Sequence, residues 1–184
     1  MVKPIYILGS EVLREVSKDA DITQKDALAE LIRDLKDTLA HAEGCGLAAP
    51  QIGVSQRVII VDGTVMTDVY DYLKDFKRAM INPVIIESSS DTSEYSEGCL
   101  SVPGIYADIR RPSKMKVEYY NENMEKVTEV LDKFACRMVQ HEMSHLDGDL
   151  FIDHLAPIRK KILSKKLQNI SRGKTSTHYI TKLK

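Results

Sequence analysis

Residues 132–147 constrain this 184-residue chain more than any other stretch, because they must form a helix that is buried and yet carries charge. Phe134, Ala135, Met138, Val139, Met143 and Leu146 make most of that helix apolar, and Gly148 follows where it would end. Within it lies Gln140-His141-Glu142-Met143-Ser144-His145. Residues four apart share a helical face, so His141 and His145 can bind one ion. Glu142, between them in sequence, can reach water on that ion rather than the ion itself. The same pattern also occurs on solvated helix faces, but a buried imidazole pair beside a carboxylate needs partners, and a metal supplies one. A cation lowers the pKa of water bound to it and a carboxylate relays the proton, so a metallohydrolase is the first expectation.

A catalytic ion needs a third protein ligand and an open position. Downstream, Asp147, Asp149, Asp153 and His154 sit too close along the chain to fold back onto the helix easily. Upstream, Cys99 follows Gly98 in a loop, and Cys45 sits between Gly44 and Gly46. Cys136 lies on the helix itself, off the ligand face, and reads as core. The residues alone leave Cys99 and Cys45 both open. They also leave two other classes: a zincin-like peptidase, and a closed structural zinc site completed by Cys45 or His154.

Composition narrows the choice. Hydrophobic residues make up 43% of the chain and charged residues 29%, enough to bury a core without disulfides or a structural metal. A bound metal is therefore expected to be catalytic. Three widely spaced cysteines do not form a disulfide framework, and no run approaches the ~20 apolar residues of a membrane span. The N-terminal MVKPIYILGSEVLREV has no signal-type apolar core. A cytoplasmic monomer without membrane partners is the expectation. Net charge is only -1, yet no acidic residue follows Asp153, while Arg159, Lys160, Lys161, Lys165, Lys166, Arg172, Lys174, Lys182 and Lys184 do. That asymmetry suits either an anionic surface such as nucleic acid or a solvated helix with a frayed end.

Leu28, Leu31, Ile32, Leu35 and Leu39 recur at helical spacing, predicting a helix over 24–42 with Thr23 as N-cap and Gly44 at its C-terminal end. Strands are expected at 57–61 and 79–86, and a hairpin pairs 114–120 with 125–131. The polar 63–76 stretch reads as an excursion, 88–96 as a loop and 157–173 as a basic helix. The order gives an α+β domain: antiparallel β-sheets around a central metal-binding helix, with an N-terminal helix and a basic C-terminal helix. The expected boundaries are a catalytic domain over 1–173 and a basic tail over 174–184.

Three segments together carry a resemblance. Gly46-Leu47-Ala48-Ala49-Pro50-Gln51, Glu97-Gly98-Cys99-Leu100-Ser101 and Gln140-His141-Glu142-x-x-His145 resemble, in order and spacing, the motifs of bacterial peptide deformylases. The likeness covers most of the chain, including the first helix, Pro103 and Arg111-Pro112. It implies Cys99, His141 and His145 as metal ligands, ferrous iron as the ion, and Zn2+, Ni2+ or Co2+ as substitutes. The implied reaction removes the formyl group from N-formylmethionyl nascent peptides. Glu142 would be the general acid/base, and Gln51 with the Leu100 backbone N–H the oxyanion donors. Substrate would lie against Cys45, Gly46, Tyr95, Glu97, Gly98, Phe134 and Met138. Two departures stand out: Cys45 where the family often has Ile, and Ser144 where Asp is usual. With a nascent-chain substrate, the basic C-terminal helix would face ribosomal RNA.

Overall fold

The computed structural model describes residues 1–184. In chain order the first elements are β1 (Ile5–Tyr6), α1 (Lys25–Ala42), β2 (Gly46–Ala48), β3 (Val58–Asp62) and β4 (Lys77–Ser88). They are followed by β5 (Thr92–Cys99), β6 (Val102–Pro112), β7 (Lys114–Tyr120) and β8 (Lys126–Asp132). The chain closes with α2 (Lys133–Leu146), α3 (Pro157–Ser171) and β9 (Thr181–Lys182). The order β2-β3-β4-β7-β8 forms one antiparallel sheet, β5-β6 a two-stranded antiparallel sheet, and β1-β9 a short parallel pair.

The five-stranded sheet is covered on both faces. Leu28, Ile32, Leu35 and Leu39 of α1 pack on Val58, Ile60, Ala79 and Ile81. Met138, Val139 and Leu146 of α2 pack with Ile59, Val61, Met80 and Val117 on the other side. Strand β3 is thus apolar at successive positions because both of its faces are covered. Each such side chain taken fully from water contributes roughly 1.5–3 kcal/mol. A third cluster joins Leu167 and Ile170 of α3 to Val102 and Ile109 of β6 through Phe151 and Ile152. The expected α+β architecture, with α2 central, is the one observed.

Several local expectations are corrected. The cap of α1 is Gln24, because the Thr23 backbone N–H and hydroxyl are both engaged by Asp21 Oδ1, at 3.0 and 2.7 Å. The left-handed residue ending α1 is Glu43 (φ 54°), not Gly44. Gly44 instead lies where a Cβ would meet the Leu100 and Leu39 side chains at 2.9 and 2.8 Å. The stretch read as a loop over 88–96 is largely strand β5. Residues 174–184 do not trail from the body, since β9 pairs with β1 and Tyr179 is buried among the α1 side chains.

Gly148 ends α2 at φ +72°, and a Cβ there would lie 2.6 Å from the Arg14 carbonyl oxygen. Gly148→Ala should therefore destabilise the fold by about 1–3 kcal/mol or more. Urea unfolding checks this; an unchanged midpoint would contradict the clash.

Candidate metal centre and peptide cavity

The ligand atoms of Cys99, His141 and His145 all lie within 4.8 Å of one another. Cys99 ends β5, where Leu100 and Ser101 make the turn into β6. His141 and His145 stand one turn apart on α2, with ring centroids 5.3 Å apart. The Cys99 Sγ is 3.3 Å from His145 Nε2, so thiol and imidazole already face one point. Cys136 is buried elsewhere on α2, with its Sγ near the Pro112 carbonyl. Cys45 lines the cavity, and burial followed by the nearby Glu142 pushes its thiol up to about 12. Cys99 is thus the thiol that joins the two imidazoles.

One buried carboxylate fixes this geometry. Glu97 receives Arg111 on both oxygens, at 2.8 and 3.0 Å, and Arg137 at 2.7 Å. Its Oε1 also lies 2.7 Å from His141 Nδ1. Burial alone would raise the carboxyl pKa, but His141 and Arg111 outweigh it and hold the group well below the usual carboxylate range. An ionised carboxylate can only accept, so His141 Nδ1 must donate. The Nε2 lone pair is then free for an ion, the arrangement in which metal-bound histidines are commonly oriented. The Cys/His/His donor set suits a borderline divalent ion, and the oriented His141 completes the fit.

Glu97 was expected against the peptide; it contributes to the cavity lining, while its carboxylate is engaged in this buried network. Ser144 likewise does not bond His141. It accepts from Arg111 at 3.0 Å and donates to the Gln140 carbonyl at 3.0 Å. Arg111 and Arg137 had no assigned role in the sequence reading. A charge within an apolar helix is the signal that marks Arg137, because a buried guanidinium requires acceptors. Arg137 finds them in Glu97, the Ile109 carbonyl and the Ser93 carbonyl.

Glu142 is buried and its Oε2 has no hydrogen-bond partner. Burial raises its pKa to about 7. A Cβ on Gly46 would overlap the Glu142 carboxylate, so only glycine permits strand β2 to pass this close. Gln51 is oriented through its Oε1, which accepts from the Ala48 N–H at 2.8 Å. Its Nε2 therefore points at Ser101 Oγ (3.1 Å) and Cys99 Sγ (3.5 Å). The Leu100 N–H donates to no protein acceptor.

These groups open into a cavity of about 540 Å³. Its lining includes Cys45, Gly46, Gly98 to Leu100, Phe134, Met138, His141 and Glu142. Tyr95 is not in the lining; it packs edge-on to Phe134 at 5.4 Å and beneath the Arg137 guanidinium at 5.2 Å. Two walls were not foreseen. Val65 and Met66 arrive from the 63–76 excursion, and Ser176 to Tyr179 from the C-terminal segment. Tyr70 of the excursion stacks on Phe134 with centroids 4.7 Å apart.

A thiol and two imidazoles around one point, beside an unpartnered buried carboxylate and a free backbone N–H, suit a metal-dependent hydrolase of carbonyl compounds. Comparison with known proteins narrows that class. The sequence profile of polypeptide deformylases matches residues 2–161. The peptide deformylase of Cytophaga hutchinsonii is 37% identical, over 97% of this chain and 96% of that protein. That of Christiangramia forsetii is 39% identical, over 97% and 94%. The crystal structure of a peptide deformylase from Legionella pneumophila superposes with a TM-score of 0.81 at 33% identity, covering 94% of this chain and 96% of that one. The chain belongs to the polypeptide deformylase family. It is an amide hydrolase that removes the N-terminal formyl group from polypeptides.

The Glu97 network yields a stability prediction. Glu97→Ala leaves two buried guanidinium groups short of their counter-ion and should cost about 3–5 kcal/mol. Denaturant unfolding measures it, and a loss under 1 kcal/mol would show that the network is not what holds β5 to α2.

Proposed function

We propose that Cys99, His141 and His145 hold one divalent ion, ferrous iron in the cell, and that Glu142, Gln51 and Leu100 carry out the deformylation of formylmethionyl nascent peptides. The observation that carries the reading is the convergence of the three ligand atoms beside a carboxylate with no protein partner. An ion bound there would polarise the formyl carbonyl and acidify water. Zinc, nickel or cobalt would satisfy the same donors.

The chain's own groups do the rest. Glu142, with a pKa near 7, can take a proton from the attacking water and return it to the departing amine. The Leu100 N–H, and the Gln51 side-chain amide once released from Ser101 Oγ or Cys99 Sγ, would donate to the negative charge that grows on the formyl oxygen. A donor of this kind is worth roughly 3–4 kcal/mol in the transition state. The free edge of β2 at Gly46 can pair with an extended peptide, as an added strand. The formylmethionine side chain would lie against Cys45, Phe134 and Met138, with the Gly98 backbone bounding the opposite side.

Formate release from a formyl-Met peptide under anaerobic conditions tests this directly. Glu142→Gln should lower kcat by about 10²–10⁴-fold while leaving one metal per chain. Cys99→Ala should lose the metal. Full activity in the first variant, or full metal content in the second, would overturn the assignment.

The basic helix α3 supports a second element of the reading, contact with ribosomal RNA by a cytoplasmic monomer. Ile158 and Ile162 are exposed there among Arg159, Lys160, Lys161, Lys165 and Lys166. Lys161→Glu with Lys165→Glu should abolish salt-dependent co-sedimentation with ribosomes at unchanged activity on free peptide. Unchanged co-sedimentation would refute the docking role.

A further inference from the structure

The two ends of the chain meet beside the turn that carries Cys99 and Leu100. Strand β1 takes up β9 in parallel, with the Ile5 and Ile7 N–H groups donating to the Ile180 and Lys182 carbonyls at 2.8 and 3.0 Å. From this pair two hydrogen bonds reach the turn. The Leu8 N–H donates to the Ser101 carbonyl at 2.8 Å, and the Tyr179 hydroxyl donates to the Leu100 carbonyl at 2.8 Å. Tyr179 is only 9% exposed and packs in the cluster formed by α1, β2 and β3. Its ring is therefore held from behind, and its hydroxyl is a fixed donor. No backbone N–H donates to the Leu100 carbonyl.

We propose that Tyr179 is a positioning residue for deformylation, whose hydroxyl aims the Leu100 N–H into the cavity by fixing the peptide plane on the other side of the same residue. Leu100 sits in a turn between two strands, where no sheet ladder sets its orientation. In the proposed reaction residue 100 would present its N–H to the reacting carbonyl, while its C=O accepts from Tyr179. Rotation about its φ and ψ would spoil the first unless something restrains the second. The inference rests on Leu100 being an oxyanion donor. Positioning errors of about an ångström at a reacting centre can cost orders of magnitude in rate, whereas substrate affinity depends on the whole groove.

Tyr179→Phe keeps the ring and removes only the hydroxyl. Measured on a formyl-Met peptide with the metal-loaded full chain, kcat should fall about fivefold or more. KM should stay within about twofold, with metal content and melting temperature unchanged. An unchanged kcat would overturn the proposal. A raised KM at constant kcat would make Tyr179 a wall of the peptide groove instead, and metal loss in step with activity would make it a support for Cys99; either also overturns it. Gln51→Ala is measured in parallel. If that variant keeps full kcat, the oxyanion reading itself fails. If it loses kcat while Tyr179→Phe does not, only the role of Tyr179 fails.

Discussion

Everything near the metal centre depends on how a single carboxylate is buried. Strand residues two apart share a face, so Tyr95, Glu97 and Cys99 all look from β5 towards α2. Glu97 is anchored there by Arg137 and His141 of α2 and by Arg111 of β6. Sliding β5 along α2 by one residue would turn the carboxylate to the opposite face and break all three contacts at once. Cys99 lies two residues further on, about 7 Å along the strand. The contact that orients His141 therefore also sets where the thiol arrives.

Burying those charges is costly, and the arrangement is stable only as a whole. Two guanidinium groups and an imidazole surround one carboxylate, and every one of them is at most 9% exposed. Removing any member would strand the others, while the set together satisfies nearly all of its hydrogen bonds. The net positive surplus also suits its neighbourhood. Cys99, Glu142 and Arg137 all contribute to the cavity lining, so this charged set borders the site itself. Chemistry and fold thus share the same electrostatic frame.

What could be read in the sequence follows from how regular each element's environment is. Helices α1 and α2 have one apolar stripe or an almost wholly apolar surface, and both were visible at the 3.6-residue period. Strand β3 was visible because both of its faces are covered, and the β7–β8 hairpin because its apolar positions alternate. Strand β5 hid because Thr92, Ser93, Glu94 and Ser96 are exposed or half-buried, the core side chains of this two-stranded sheet coming from β6. Polarity there reflects exposure, not the absence of extended backbone. The seating of β9 was invisible for another reason: a two-residue parallel pair rests on contacts more than 170 positions apart, and no local pattern records them. The convergence of Cys99, His141 and His145 beside Glu142 was legible from motif and resemblance. The contacts of Arg111, Arg137 and Tyr179 were not, because each depends on a partner supplied by a different element.

The distribution of satisfied and unsatisfied polar groups separates the frame of the site from its working parts. Arg137 Nε and Gln140 Oε1 lack partners, but each belongs to a side chain that is otherwise well bonded. Glu142 Oε2 is different, because no hydrogen bond offsets its burial. The Leu100 N–H, of another residue lining the same cavity, is free. One is an acceptor whose proton affinity burial has raised, the other a donor on the residue whose carbonyl accepts from the Tyr179 hydroxyl. A substrate carbonyl between them needs both capacities, a base for the attacking water and a donor for the oxygen. Fold stability would be better served by satisfying each internally. That neither is satisfied, in a site where neighbouring groups such as Glu97 and Ser144 are, is what groups serving a bound amide rather than the fold would show.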